Sequence, residues 1–102
     1  MRQTRKDAKI KRYYAICRGY VQGIGFRFFV QHHADSLGLN GWVRNLPDGS
    51  VDMEVDGEES NILNFLNTVK TGHPWAKVRS LNYEEKPCTE PYKEFFIKHA
   101  YE

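Results

Sequence analysis

The sequence predicts an α+β sandwich, with two helices on one face of an antiparallel or mixed sheet, and three observations lead there. Residues 51–56 alternate without a slip, Val51, Met53 and Val55 against Asp52, Glu54 and Asp56, as a strand does. Two other stretches, opening near Phe26 and near Glu58, repeat apolar residues at helical spacing. Between and around them lie β-branched and aromatic runs bounded by glycine and proline. At 102 residues the chain can build one core but not two.

Tyr13-Tyr14-Ala15-Ile16-Cys17 reads as the first strand, with apolar residues in both parities as a central strand would have, and Gly19 ends it. The first helix follows from Phe26, through Phe29, Val30, His33 or Ala34, and Leu37, with Gly38 as its stop. Gly41-Trp42-Val43-Arg44-Asn45-Leu46 is the second strand, and Pro47-Asp48-Gly49 turns it into the third. The third strand is expected to bury its valines and methionine and to keep its acids wet.

Asp56 or Gly57 is expected to cap the second helix, with Glu58 and Glu59 in its first turn, where the helix dipole favours acids. Ile62, Leu63, Phe65, Leu66 and Val69 form its stripe, and Gly72 with Pro74 ends it. Ala76 to Glu85 reads as the fourth strand and Glu94 to Lys98 as a short fifth, across a loop from Pro87 to Pro91. The order β-α-β-β-α-β plus a short strand is that of a split βαβ, ferredoxin-like sandwich. In such a unit strands one and two run parallel, so their carboxyl ends share one edge of the sheet.

That edge holds the most unusual stretch of the chain. Gly19-Tyr20-Val21-Gln22-Gly23-Ile24-Gly25-Phe26-Arg27 places three glycines within seven positions between a strand end and a helix start. Glycine permits the positive φ angles that let successive amides converge on one anion, and the helix N-terminus adds partial positive charge. Arg27, in the first turn, offers a planar fork of donors suited to a phosphate. The stretch lacks the Gly-Lys-Ser/Thr ending of a Walker A loop, and a dinucleotide fingerprint from Gly23 would need glycine where Phe28 stands. A small phosphorylated substrate is therefore expected in place of ATP. Asn45 ends the second strand at the same edge, so it and Arg27, eighteen positions apart, are expected to be neighbours.

Composition bounds the rest. The chain is 40% hydrophobic and 27% charged, with no apolar run near the ~20 residues a membrane span needs and no signal-peptide core, so a cytoplasmic protein without a membrane partner is expected. Residues 1–12 carry six Lys or Arg and one Asp, a charge of +5, leaving −3 for the rest of a net +2. Residues 1–12 are thus expected to be a disordered basic extension on a single domain spanning 13–102. No aromatics interleave with these basic residues, so no nucleic-acid partner is expected.

Cys17 lies in an apolar strand and reads as a core residue, Cys88 as an incidental loop thiol, and a disulfide between them would not suit the cytosol. His32 and His33 fall mid-helix, and His73 and His99 in loop or tail, so none is assigned acid–base work. The acidic run from Asp52 to Glu59 reads as a solvated face, not a metal site, and no metal or cofactor is expected.

The stretch from Gly19 to Arg27 resembles the first motif of the acylphosphatase family, through its glycine, its Val-Gln-Gly triplet and its Phe-Arg pair. Gly41-Trp42-Val43-Arg44-Asn45-Leu46-Pro47-Asp48-Gly49-Ser50-Val51, followed by Gly57, resembles the second. Tyr20, where the family often has a basic or variable residue, and Leu46 depart slightly from the pattern. The resemblance covers residues 13 to 98 and implies metal-independent hydrolysis of carboxyl-phosphate bonds; nothing in the sequence demands more than a monomer. It implies Arg27 as the phosphate-binding arginine, Asn45 as the holder of the attacking water and the backbone amides of Val21, Gln22, Gly23 and Ile24 as the cradle, shaped by Gly19 and Gly25. Two alternatives stand beside it. One is a non-catalytic ferredoxin-like module, for example for RNA, which the acidic third strand disfavours. The other is the carbamoyl-phosphate-directed domain of hydrogenase-maturation carbamoyltransferases, which sits in much longer proteins.

Overall fold

Seven elements account for most of residues 9–100, the part of the chain that the computed structural model describes. They are β1 (Lys11–Tyr20), α1 (Phe26–Ser36), β2 (Asn40–Asn45), β3 (Val51–Gly57), α2 (Glu59–Thr71), β4 (Lys77–Lys86) and β5 (Phe95–Lys98). The sheet order is β4-β1-β3-β2-β5. Every neighbouring pair is antiparallel except β2 with β5, which is parallel. With β3 antiparallel to both, β1 and β2 run the same way, and their carboxyl ends share an edge.

One face of this sheet is dry. Ala15 and Cys17 of β1, Val43 of β2 and Val51, Met53 and Val55 of β3 are fully buried there. Register sets Ala15 and Val43 on either side of Met53. Phe26, Val30 and Ala34 recur every four residues along α1, and Ile62, Phe65, Leu66 and Val69 line α2, so each helix lays one stripe on that face. Burying such side chains is worth roughly 1.5–3 kcal/mol each.

The opposite face departs from expectation. Asp52 and Asp56 are each only 2% exposed, not solvated. β3 is the central strand, and register sets Arg12 of β1 opposite Asp56 and Arg44 of β2 opposite Asp52. Arg12 donates to both carboxylate oxygens of Asp56, at 2.7 and 2.8 Å, and Arg44 to both of Asp52, at 3.0 and 2.8 Å. Tyr14 adds its hydroxyl to Asp52, while the Tyr92 amide adds a bond to Asp56 and its hydroxyl one to Glu54. Long side chains from the flanking strands thus roof the acids over. Alternation told which side the acids take but not what covers it.

Two boundaries also move. β1 begins at Lys11, so Lys11 and Arg12 lie in the sheet although they were expected in the extension, while residues 1–8 lie outside the described residues. The cap of α2 is Glu58, without a side-chain cap bond, in place of Asp56 or Gly57. Asp56 cannot cap because its carboxylate already serves Arg12 and Tyr92. Glu59, in the first turn as expected, accepts hydrogen bonds from the Tyr13 hydroxyl and from Lys11, which ties α2 to β1.

Candidate active site

The loop leaving β1 is held at both ends by glycine. At Gly19 a side chain would bring its Cβ within 2.0 Å of the Lys77 carbonyl oxygen, so β1 and β4 can close only over glycine. Gly25 enters α1 with φ 76°, the left-handed conformation, which a side chain would strain. α1 starts without a side-chain cap and without an acid in its first turn, and its first helical bond runs from the Phe29 amide to Gly25 at 3.0 Å. The amides ahead of Phe29 are therefore available to an anion, at the positive end of the helix.

Val21, Gly23, Gly25, Phe26, Arg27, Phe28 and Asn45 line one small cavity of about 90 Å³. That is room for a phosphoryl group. Larger depressions exist, such as one of about 280 Å³ between α2 and β4, but that one offers no comparable set of amides. Of the residues predicted for the site, Arg27, Asn45, Val21 and Gly23 meet here together with Gly25. Gln22, Ile24 and Gly19 do not line it. Gly19 borders a separate depression with Arg18, Asp48, Ser50 and Arg79.

Arg27 is half-buried and makes no hydrogen bond or ion pair with another described residue. Asn45 closes β2 opposite Val51, on the helix-covered face. Its Oδ1 is buried and accepts no hydrogen bond, the one such side-chain atom among the described residues. A buried amide oxygen without a donor costs about 1–3 kcal/mol. The chain thus keeps one cationic fork and one acceptor uncommitted beside the same cavity.

The loop is braced from two sides, and neither brace was legible in sequence. Gln22 Nε2 donates to the Leu46 and Ser50 carbonyls, both at 2.9 Å, which clamps the glycine loop to the hairpin that carries Asn45. Asp48 Oδ1 accepts from the Ser50 amide and hydroxyl, and these bonds hold its carboxyl below the usual carboxylate range. From the other side His73 Nε2 meets the Ile24 carbonyl at 3.1 Å.

The remaining cysteine and histidine side chains offer no second site. Burial pushes the Cys17 thiol up to about 12, so it is no nucleophile at neutral pH. His32 is exposed on α1, and His33 stacks edge-on to Phe29 at 4.5 Å. No three His, Cys, Asp or Glu side chains gather into a metal-binding group among the described residues.

The acylphosphatase family model matches residues 13–97. This chain belongs to the acylphosphatase family. An acylphosphatase of Bacillus pumilus is 46% identical over 86 residues, covering 84% of this chain and 96% of its own length. The crystal structure of acylphosphatase from Bacillus subtilis superposes with a TM-score of 0.83 at 39% identity, covering 88% of this chain and 99% of that one. Full-length HypF, in a phosphate- and nucleotide-bound form, matches at a TM-score of 0.82 and 33% identity, but over only 12% of its length. The acylphosphatase fold expected from the sequence is the one observed, including the mixed sheet and its fifth strand.

Proposed function

We propose that this protein hydrolyses acyl phosphates to a carboxylate and inorganic phosphate, using Arg27, Asn45 and the backbone amides of the 19–25 loop. The observation that carries the reading is the pairing, beside one phosphate-sized cavity, of an unengaged guanidinium with a buried, unsatisfied amide oxygen. Kinship with acylphosphatases over most of the chain supports the substrate class.

The chemistry asks little of the protein. A carboxylate leaves from an acyl phosphate, and because its acid has a pKa near ~4 it needs no proton from a general acid. What remains is positioning and charge stabilisation, the dominant tasks in phosphoryl transfer. Arg27 and the loop and first-turn amides bind the phosphoryl oxygens and hold the phosphorus open opposite the leaving carboxylate. Asn45 Oδ1 accepts one O–H of a water and turns its lone pair toward phosphorus. As the water oxygen bonds to phosphorus the P–O bond to the acyl group breaks, its electron pair leaving on the carboxylate. The water's proton passes to a phosphoryl oxygen, since a neutral amide cannot take it.

Cys17 and Cys88 are both free thiols, which suits the cytoplasm. The test is phosphate release from benzoyl, acetyl and carbamoyl phosphate, with chelator present, by the parent protein, Arg27→Gln and Asn45→Ala. Turnover abolished in both folded variants, with Asn45→Ala still binding phosphate, is the expected result. A folded parent without turnover on any of the three would overturn the reading.

A further inference from the structure

His73 lies outside both sequence motifs, in the turn between α2 and β4, and yet it touches the phosphate loop. Its Nδ1 accepts from two backbone amides, those of Trp75 and Ala76, each at 3.1 Å. An imidazole nitrogen that accepts two N–H bonds carries no proton, so in the neutral ring the hydrogen sits on Nε2. Nε2 is therefore the donor, and the Ile24 carbonyl, 3.1 Å away, is its acceptor. The ring is wedged against Phe26 and Phe29 of α1, at centroid distances of 5.9 and 5.1 Å, and against Trp75 at 6.1 Å.

The consequence lies one atom further on. Ile24 C=O and Gly25 N–H belong to one trans peptide plane and point in opposite directions. Fixing the carbonyl on the His73 side thus fixes the Gly25 amide on the other, and Gly25 lines the cavity with Arg27 and Asn45. Gly25 also has φ 76°, and with no Cβ nothing in the residue itself pins that peptide. We propose that neutral His73 is a positioning residue for the phosphate cradle, clasping the Ile24–Gly25 peptide so that the Gly25 amide faces the bound phosphoryl group. The inference rests on the proposed role of the 19–25 loop and adds a residue that neither motif contains.

The clasp works in one protonation state. Protonating Nδ1 would set a third N–H against the Trp75 and Ala76 amides and lose both bonds. No carboxylate pairs with the ring among the described residues.

His73→Asn separates the two ends of the clasp. Its shorter side chain can still accept from the amides two and three residues on, as asparagine does in turns, but cannot reach Ile24. Compared with the parent, this variant should raise KM for an acyl phosphate and the inhibition constant of inorganic phosphate together, by about 3- to 10-fold, the scale of one lost hydrogen bond. Because the clasp only orients the loop and touches no reacting atom, kcat should change much less than KM. Equal constants for parent and folded variant at neutral pH would overturn the proposal, and so would a loss confined to kcat. Should the variant fail to fold, ring-nitrogen NMR of the parent decides. Protonated Nε2 with bare Nδ1 at neutral pH is required, and the other tautomer or a charged ring sinks the clasp. A parent that neither turns over acyl phosphates nor binds phosphate removes the site reading instead, whatever the tautomer.

Discussion

Arg12 and Arg44 on one side of the sheet and Arg27 at its edge carry the same guanidinium in opposite states of engagement. The first two grip buried aspartates with both prongs, and Arg12 also lies 4.3 Å over the Tyr92 ring. Their pKa values are raised further above an already high norm, chiefly by those bonds to Asp56 and Asp52. Arg27 has no such partner among the described residues. A fork already filled by a carboxylate orders the sheet, whereas an empty fork beside a small cavity can accept a dianion. Placement relative to an acid, and not residue type, separates the structural arginine from the proposed catalytic one.

Two substitutions test that contrast at its extremes. Arg27→Lys keeps the charge and loses the planar fork, and kcat/KM for an acyl phosphate is expected to fall ~10²–10³-fold. Its urea midpoint should stay close to the parent's, since no described bond is lost. Near-normal turnover by Arg27→Lys would show that charge alone suffices at the edge. Asp56→Ala should do the reverse. It leaves the Arg12 guanidinium, 15% exposed, with the Glu90 carbonyl and the Tyr92 ring but no anion, and strands the Tyr92 amide, so unfolding free energy should drop by about 3 kcal/mol. Turnover per folded molecule should hold, because Asp56 takes no part in the cavity. A stable Asp56→Ala protein with impaired turnover would mean that the two regions are coupled.

The sequence exposed the edge and hid the opposite face for a physical reason. Gly19, Gly23, Gly25, Arg27 and Asn45 are local signals: a run of glycines before a helix and an asparagine before a tight turn declare themselves within a few positions. The burial of Asp52 and Asp56 depends on which long side chains stand across from them in β1 and β2, and register is not written in a strand's own alternation. The same limit explains the misplaced cap of α2, since the carboxylate of Asp56 was claimed from 44 positions away. His73 and Ile24 are 49 positions apart and Gln22 and Ser50 are 28 apart, each joined by a side chain reaching a backbone carbonyl. Such bonds leave no periodicity behind.

Gln22 sits where the two regimes meet, because it spends its side chain on structure so that its neighbours can serve the cavity. Gln22→Ala removes two bonds from the hairpin, at Leu46 and Ser50, and frees the loop from the strand end that carries Asn45. At about 1 kcal/mol for each of the two bonds, kcat/KM should fall roughly 30-fold, less than for Arg27→Lys and with a smaller stability loss than Asp56→Ala. Gln22→Glu, which replaces the donating amide by an acceptor facing two carbonyls, should be worse than alanine. A glutamate variant as active as the parent would show that the loop holds its shape without the clamp.

The smallest effect comes from Cys17, which belongs to neither group of arginines but lies beneath both faces' shared strand. Burial raises its thiol from 9.0 to about 12, so the folded protein keeps this proton while the unfolded chain loses it. Between those values the unfolded state binds fewer protons, and stability must fall as pH rises, by at most about 1.4 kcal/mol per pH unit from this group. Below pH 9 the group contributes its full share. Tyr13 and Tyr14 are also raised, each to about 12 from 10.0, the first chiefly by its bond to Glu59 and the second chiefly by burial, so alkaline destabilisation should steepen above pH 10. Cys17→Ala separates the contributions: urea unfolding between pH 8 and 10 should become flatter in the variant, while the steeper loss above pH 10 should remain. A variant whose stability falls as fast as the parent's between pH 8 and 10 would mean that the Cys17 thiol titrates alike in both states, and that the core under β1 admits water.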